Sequence, residues 1–222
     1  MIDERFDSVL VSDFDGTMTR FDFYQLVLER LLSPDTPNYW LDYCAGRMTH
    51  FEALKAYFAS IRAEETEVVR LLDEMELDPE LPRAVSTLHQ AGWNIMVTSA
   101  GCAWYIEKLL GKHGVLLPLF ANPGRFVRGK GLVMSLPIDT SFFSPTLGVD
   151  KARVVRKAQR DYRYVAFAGD GYPDMEAAEE VSPDLRFAKS SLAEAASSKG
   201  LKFISFNKWS DIADYLKKYS KK

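Results

Sequence analysis

A short apolar run, Val9 to Val11, leads directly into two carboxylates one residue apart in the string DFDGT. β-prone apolar residues followed by turn-forming residues predict a buried strand that ends near Ser12. A strand buried on both faces is typical of a parallel sheet, and open α/β sheets bind ligands beyond the carboxyl ends of their strands. Asp13 and Asp15 would emerge at that edge, so this stretch predicts a site as well as a fold.

Further apolar runs typical of strands recur along the chain, and helical patterns separate them. The predicted strands are 93–98, 164–169, 185–189 and 202–206, and the predicted helices include 79–92, 150–160 and 174–181. This alternation indicates βαβ units, so the predicted fold class is α/β with a Rossmann-like parallel sheet. A hairpin at Arg125 to Pro137, turning at Gly129 to Gly131, is expected to be added to that sheet.

The segment between the first two strands has a different pattern. From about Phe21 to Asp78, apolar residues recur at three- and four-residue spacing, which predicts a bundle of about four helices. We therefore expect an α/β core of residues 1–20 and 79–222 and an inserted helical-bundle cap of residues 21–78. The aromatic residues of the insert are expected to pack in the interior of that cap.

Charge and cysteine content narrow the class of partner. The 222 residues carry 28 Lys and Arg against 31 Asp and Glu, a balance that favours neither a nucleic-acid partner nor an anionic membrane. No apolar run approaches the roughly 18 residues of a membrane span, and the acidic start MIDERFDSV does not resemble a signal peptide. Cys44 and Cys102 are too few for a disulfide framework. We expect a cytoplasmic protein that acts on a small molecule.

The two acids after the first strand suit a division of chemical labour. Asp13 and Asp15 alternate along extended backbone, so their side chains should point in different directions. One can act as a nucleophile that also faces a metal, and the other as acid and base for the leaving group. Gly16 permits close backbone approach, and Thr17 offers a hydroxyl and an N–H to an anion. An EF-hand loop is excluded, because Tyr24 stands where such a loop needs a glutamate.

Two more predicted strands end in residues suited to the same site. The string VTSAG places Ser99 and Ala100 where a phosphate oxygen could bind. The string GDGYPD brings Asp170 and Asp174 to the edge that holds Asp13, and such carboxylates repel unless a cation lies among them. Oxygen ligands without His or Cys favour Mg²⁺. Taken separately, the last two acids could instead be an Asp-Gly turn and a helix N-cap.

A site of this kind also needs a fixed positive charge, since one Mg²⁺ cannot neutralise both the acids and a phosphate. Lys151, at the start of DKARVVRK just before the third predicted strand of the core, is the candidate. Lys130 in the hairpin and Lys189 after a later strand are weaker candidates.

In this order, DFDGT, VTSAG, Lys151 and GDGYPD resemble the motifs of the haloacid dehalogenase superfamily of aspartate-nucleophile phosphatases. The helical insert is similar to the cap of the phosphoserine-phosphatase-like branch, so the resemblance spans nearly the whole chain. Within that branch, DFDGTMTRFD and the stretch 184–212 look most like the methionine-salvage phosphatases, which act on a methylthiopentenyl phosphate.

The resemblance implies a two-step, Mg²⁺-dependent hydrolysis of a phosphate monoester. Asp13 would attack phosphorus to form an aspartyl-phosphate, and Asp15 would protonate the leaving alcohol and then activate water. Ser99 and Lys151 would bind the phosphate. The implied Mg²⁺ ligands are Asp13, the Asp15 backbone carbonyl and Asp170, with Asp174 as a further ligand or as the partner of one.

Three departures from known relatives bear on the substrate. Asp22 falls where phosphoserine phosphatases have a glutamate that meets the substrate's amino group, and it would contact a polar substrate or cap a helix. Phe58 matches the arginine that holds the serine carboxylate in those enzymes, which disfavours phosphoserine. FFSPTLGVD replaces a cysteine-rich stretch of the methionine-salvage enzyme. A phosphotransferase and a non-catalytic phospholigand-binding protein are the alternative functions.

Overall fold

The structure is a computed structural model that describes residues 6–219. The acidic start on which the expected localisation rests lies largely outside the described residues. In chain order the strands are β1 (Ser8–Ser12), β2 (Trp93–Cys102), β3 (Leu119–Asn122), β4 (Gly124–Val127), β5 (Gly131–Met134), β6 (Phe143–Ser144), β7 (Gly148–Val149), β8 (Tyr164–Gly169), β9 (Arg186–Ala188) and β10 (Ile204–Ser205).

Several helices begin at residues that are typical of helix N-caps. They are α1 (Phe23–Arg30), α2 (Tyr39–Cys44), α3 (His50–Ala59), α4 (Glu65–Leu71), α5 (Leu81–Gln90), α6 (Ala103–Lys112), α7 (Lys151–Asp161), α8 (Met175–Glu179), α9 (Ser190–Ser198) and α10 (Trp209–Leu216). Thr49 caps α3 through a reciprocal capping box with Glu52, and Asp150 caps α7 by accepting the Arg153 N–H. Across residues 6–219, every helix is too short or too polar to cross a bilayer.

Six strands form one parallel sheet in the order β10-β9-β8-β1-β2-β3. Side chains of the central strand β1 alternate between two apolar layers, as the two-residue period of a strand requires. Leu10 packs in the layer that includes α5, α6 and α10, whereas Val9 and Val11 pack with α7, α8 and α9. Helices therefore cover both faces of the sheet, and the predicted α/β fold is confirmed.

Helices α1 to α4 lie between β1 and α5, in the segment where the sequence predicts a helical bundle. The chain leaves and re-enters the α/β part at neighbouring points, because Thr19 and Leu77 form an antiparallel bridge. Phe23 of α1 and Phe58 of α3 pack in the interior of this insert, with ring centroids 5.4 Å apart. The insert therefore rests on the sheet edge at which β1 ends.

The predicted hairpin forms, but it does not join the parallel sheet. Strand β4 pairs antiparallel with β5 alone, and β3 takes the edge of the large sheet instead. The hairpin packs on α3: Gly131 has φ +70°, and an added methyl would overlap the backbone carbonyl of Phe58. Leu132 and Met134 are buried in the same apolar layer as the insert. The expectation of an extended sheet was wrong because the buried side of this hairpin faces the helices.

Candidate active site

Three of the predicted acids converge where β1 and β8 end. One carboxylate oxygen from each of Asp13, Asp170 and Asp174 lies within 4.8 Å of the others. The two strands are neighbours in register, with Ser12 beside Ala168, so the residues that follow them emerge side by side. Asp13 and Asp170, which are separated by some 150 residues of sequence, thus share one site, as the parallel sheet requires.

Lys151, the first residue of α7, brings a positive charge to this cluster. Its side chain is 5% exposed, and Nζ lies 2.7 Å from Asp13 Oδ1 and 2.5 Å from Asp174 Oδ1. Burial acts to lower the pKa of Lys151, but the charges of Asp13 and Asp174 outweigh burial, and the pKa is raised. The lysine therefore stays protonated and bridges two of the acids.

The cluster holds more negative charge than Lys151 neutralises. Burial, followed by the charge of Asp174, raises the pKa of Asp13 well above its ordinary value, against the opposing effect of Lys151. Burial and then Asp174 also raise the pKa of Asp170 to about 6. A divalent cation would favour the ionised forms. Because every donor in the cluster is a carboxylate oxygen, the residues fit Mg²⁺.

Asp174 differs from the other two acids because both of its carboxylate oxygens are engaged. Oδ1 accepts a hydrogen bond from Lys151, and Oδ2 accepts the N–H groups of Asp170 and Gly171 at 3.1 and 3.0 Å. Its neighbour Gly169 has no room for a side chain, since an added methyl would lie 2.6 Å from the Asp174 carboxyl group. This geometry favours Asp174 as the residue that orients Lys151 and the Asp170 loop.

Asp15 is held by groups from three other elements. Its Oδ1 accepts the Phe23 N–H at 3.0 Å, and its Oδ2 accepts the Tyr105 hydroxyl at 2.5 Å and lies 3.5 Å from Ser99 Oγ. Burial raises the pKa of Asp15, although the hydrogen bonds from Tyr105 and Phe23 act to lower it. A buried carboxyl group with a raised pKa can carry a proton, which suits an acid.

Tyr105 is a site residue that the sequence reasoning missed. It lies in α6, is 1% exposed, and donates its hydroxyl to Asp15. Burial, followed by the charge of Asp15, raises its pKa well above the ordinary value, so the hydroxyl keeps its proton. A methyl added at Gly101 would overlap this hydroxyl. The glycine four residues before the tyrosine was the available signal, but nothing near it in sequence pointed to Asp15.

The residues predicted to bind phosphate, Ser99, Ala100 and Thr17, differ in their surroundings. Strand β2 continues to Cys102 instead of ending at Thr98, so Ser99 and Ala100 lie on extended backbone that lines the cleft. Thr17 has both donors engaged: its hydroxyl donates to Asp170 Oδ1 at 2.9 Å and its N–H to the Phe14 carbonyl at 3.2 Å. The geometry therefore favours Thr17 as a residue that orients Asp170, in place of the expected contact with an anion.

These groups form the floor of a cleft of about 650 Å³, and the insert forms the facing wall. Asp22 lines this cleft from the N-cap position of α1, where its side chain makes no capping hydrogen bond with the described residues. Burial, followed by the charge of Asp15, raises the pKa of Asp22 to about 7. Of the two weaker lysine candidates, Lys189 lines the cleft, whereas Lys130 is exposed in the hairpin turn and does not.

Comparison with known proteins relates these motifs to a family. A family described as haloacid dehalogenase-like hydrolase matches residues 10–179, whereas no curated protein matches the sequence.

Among solved structures, a haloacid dehalogenase family hydrolase from Salmonella enterica subsp. enterica serovar Typhi has a TM-score of 0.72 and 15% identity, over 96% of this chain and 72% of that one. A substrate-bound phosphoserine phosphatase has a TM-score of 0.65 and 14% identity, over 94% of this chain and 98% of that one. For a phosphoserine phosphatase from T. onnurineus the values are 0.61 and 21%, over 99% of both chains. Since the family match spans most of the chain and all four motif positions, this chain belongs to the haloacid dehalogenase-like hydrolases.

Proposed function

We propose that this hydrolase is a Mg²⁺-dependent phosphatase that cleaves a small phosphorylated metabolite through an aspartyl-phosphate intermediate on Asp13. The observation that carries the proposal is the position of Asp13, which is buried at the end of β1, paired with Lys151 and close to Asp170 and Asp174. A second carboxyl group, Asp15, stands beside it in an environment that raises its pKa.

In the first step, a carboxylate oxygen of Asp13 forms a bond to phosphorus while the bond from phosphorus to the ester oxygen breaks. Asp15 gives its proton to that departing oxygen, so the alcohol leaves neutral. Lys151 and the backbone at Ser99 and Ala100 bind the phosphate oxygens, whose charge is redistributed during transfer.

In the second step, a water molecule attacks phosphorus and the bond to Asp13 breaks, which releases inorganic phosphate and restores the carboxylate. Asp15, now deprotonated, accepts the proton of that water. Mg²⁺ held by Asp13, the Asp15 backbone carbonyl and Asp170 would neutralise phosphate charge. Asp174 and Thr17 hold Lys151 and Asp170 in place.

Residues 21–78 act in this proposal as a cap over a core of residues 1–20 and 79–222. The bridge between Thr19 and Leu77 at the base of the insert supports this division. A cap that covers the cleft excludes bulk water, which strengthens the electrostatic interactions inside the site. We place the enzyme in the cytoplasm, a location with which the two free cysteines are compatible.

Among substrates we favour a methylthiopentenyl phosphate of the methionine-salvage type over phosphoserine. Phe58, at the position expected to bind the carboxylate of phosphoserine, is 1% exposed and packs 5.4 Å from the Phe23 ring. A phosphotransferase would use the same aspartyl-phosphate but pass it to a second alcohol. A protein that only binds phosphoesters would need neither the nucleophile nor the acid.

The test measures phosphate release from p-nitrophenyl phosphate with Mg²⁺ and with a chelator. Steady release that depends on Mg²⁺ supports hydrolysis, and release that increases only when an acceptor alcohol is added supports phosphotransfer. Asp13→Asn should abolish turnover. Asp15→Asn should accumulate protein that carries one phosphoryl group, which intact-mass spectrometry detects. Normal turnover by Asp13→Asn would contradict the proposal.

A further inference from the structure

The insert presents a largely aromatic surface to the cleft. We call this surface the cap wall, and it consists of Tyr24, Trp40, Tyr43, His50, Leu54 and Phe58. It faces the floor that holds Asp13 and Lys151, so the organic group of a bound phosphate ester would lie against it. The chemistry of the cap wall therefore bears directly on which esters the cleft accepts.

Trp40 lies in the cap wall, and its ring packs against three other members of that wall. The ring centroids lie 5.2 Å from Tyr24, 5.3 Å from Tyr43 and 5.2 Å from His50. Rings packed at their edges in this way form a continuous surface, whereas an aromatic cage for a cation needs ring faces that are open to the ligand. His50 adds no charge at neutral pH, because burial lowers its pKa to about 4.

The cations in and around the insert are engaged elsewhere. Arg62 donates to the carbonyls of Ala59 and Ile61 at 2.7 and 3.0 Å, so it does not replace the cation that is missing at Phe58. Three cations of the core line the cleft among residues 6–219: Lys151 pairs with Asp13 and Asp174, Arg20 forms an exposed pair with Glu76, and Lys189 lies above the ring of Phe206, where the charges of Asp170 and Asp22 also act on it.

The single ionisable acid that the described insert adds to the cleft is Asp22. A carboxylate on the substrate that approached Asp22 would be repelled, and the insert supplies no cation to offset this; the cations whose charges act on Asp22, Lys151 and Lys189, belong to the core. A neutral hydroxyl or carbonyl group could instead share a hydrogen bond with Asp22, since its raised pKa of about 7 leaves both protonation states populated at neutral pH.

We infer that the cap wall selects phosphate monoesters whose organic group is largely apolar and carries no carboxylate, with Trp40 as the main contact. This inference rests on the proposed function, because it concerns the ester that the same cleft hydrolyses. Flat or unsaturated groups gain most, since they can lie along the aromatic surface. Carboxylate-bearing esters, zwitterionic ones included, lose affinity because the wall offers no cation that could pair with the carboxylate.

Two matched pairs of substrates test the selection with the wild-type enzyme and Mg²⁺. Butyl phosphate and 4-phosphooxybutanoate differ by a carboxylate in place of the terminal methyl group, and phenyl phosphate and 4-carboxyphenyl phosphate differ by one carboxylate. The neutral member of each pair should have a kcat/KM higher by about tenfold or more. Equal values within both pairs, or preference for a charged member, would overturn the inference. Failure of all four esters to release phosphate would instead reject the proposed function.

Variants of the cap wall test the role of Trp40. Trp40→Leu should raise KM for phenyl phosphate about tenfold more than it raises KM for ethyl phosphate, which is too small to span the wall. Tyr39→Leu is the matched control, because Tyr39 is an aromatic residue of the same helix that does not line the cleft. Tyr43→Leu, at a residue that is 38% exposed, repeats the test if Trp40→Leu does not fold. An equal change for both substrates would refute contact-based selection.

Discussion

Lys151 is the residue whose removal most directly tests the electrostatics of the site. Its ammonium group lies between Asp13 and Asp174, and the three side chains are at most 9% exposed. Lys151→Met keeps an unbranched side chain of similar length but deletes the charge. In the absence of Mg²⁺, the variant leaves a group of buried acids without its cation, and we expect a large loss of folding stability.

The magnitude follows from the separations. At 2.7 Å and an effective dielectric constant of about 20, the attraction between Lys151 and Asp13 is about 6 kcal/mol. The variant regains the several kcal/mol that burying the ammonium group costs, so the net loss is smaller than the attraction. Breaking a buried pair by removing one partner typically destabilises a protein by about 3–5 kcal/mol, and we expect Lys151→Met to lie in that range.

Urea unfolding without metal at several pH values measures this loss. Lys157→Met is the matched control, because it breaks the exposed pair of Lys157 and Asp161 on the same helix and should cost less than about 1 kcal/mol. Without the lysine, the folded-state pKa values of the acids rise further above their unfolded values. The added loss should therefore be largest near pH 8 and smaller near pH 5, where the acids are more fully protonated. Added Mg²⁺ should recover part of it.

The reasoning would be refuted if Lys151→Met cost no more stability than Lys157→Met. It would also be refuted if the loss were the same at both pH values, since repulsion between ionised acids must weaken as they take up protons.

Three further predictions concern the surroundings of the site. Gly101→Ala should displace the Tyr105 hydroxyl from Asp15 and lower kcat by about a hundredfold with little change in KM, as measured by steady-state kinetics. Trp209→Phe should cost about 1–2 kcal/mol in urea unfolding while turnover is retained, because it removes the buried 2.9 Å hydrogen bond from Nε1 to Ser12 Oγ. In metal-free protein, the folded-state pKa is about 6 for Asp170 and about 7 for Asp22, and both values lie above the ordinary 3.8. The contribution of these two groups to stability is therefore complete below about pH 4, and it is lost as the pH rises to about 7. Stability measured from pH 4 to 8 should therefore fall, and a flat profile would contradict these two shifts.

The sequence predicted those parts of the fold that depend on local pattern. The runs at β1 and β8 are apolar on both faces, so they could only be interior strands, and the residues after them had to meet at one edge. The convergence of Asp13, Asp170 and Asp174 follows from that topology alone. Strands β9 and β10 are shorter than their apolar runs suggested, because pairing with a neighbouring strand ends before the pattern does.

The features that escaped prediction are those set by packing between distant segments. Tyr105 reaches Asp15 across 90 residues of sequence, and no local pattern encodes that hydrogen bond. The glycine turn predicted the hairpin at β4 and β5, but it could not show that the hairpin would pack on α3 instead of joining the sheet. Thr17 is predicted to contact an anion, and the hydrogen bond from its hydroxyl to Asp170 is a contact between distant segments that the local sequence does not indicate.

The β4–β5 hairpin fastens one part of the insert far more firmly than another. Helix α3 is clasped by the hairpin at Gly131 and by the hydrogen bond from the Phe51 N–H to the Thr146 carbonyl, whereas the helix that carries Trp40 has no buried residues. Substitutions at exposed positions of α2, such as Leu41, should therefore cost the folded state less than substitutions at the buried positions of α3. Substitutions in α2 can therefore change which substrates bind, while the residues that carry out hydrolysis stay the same.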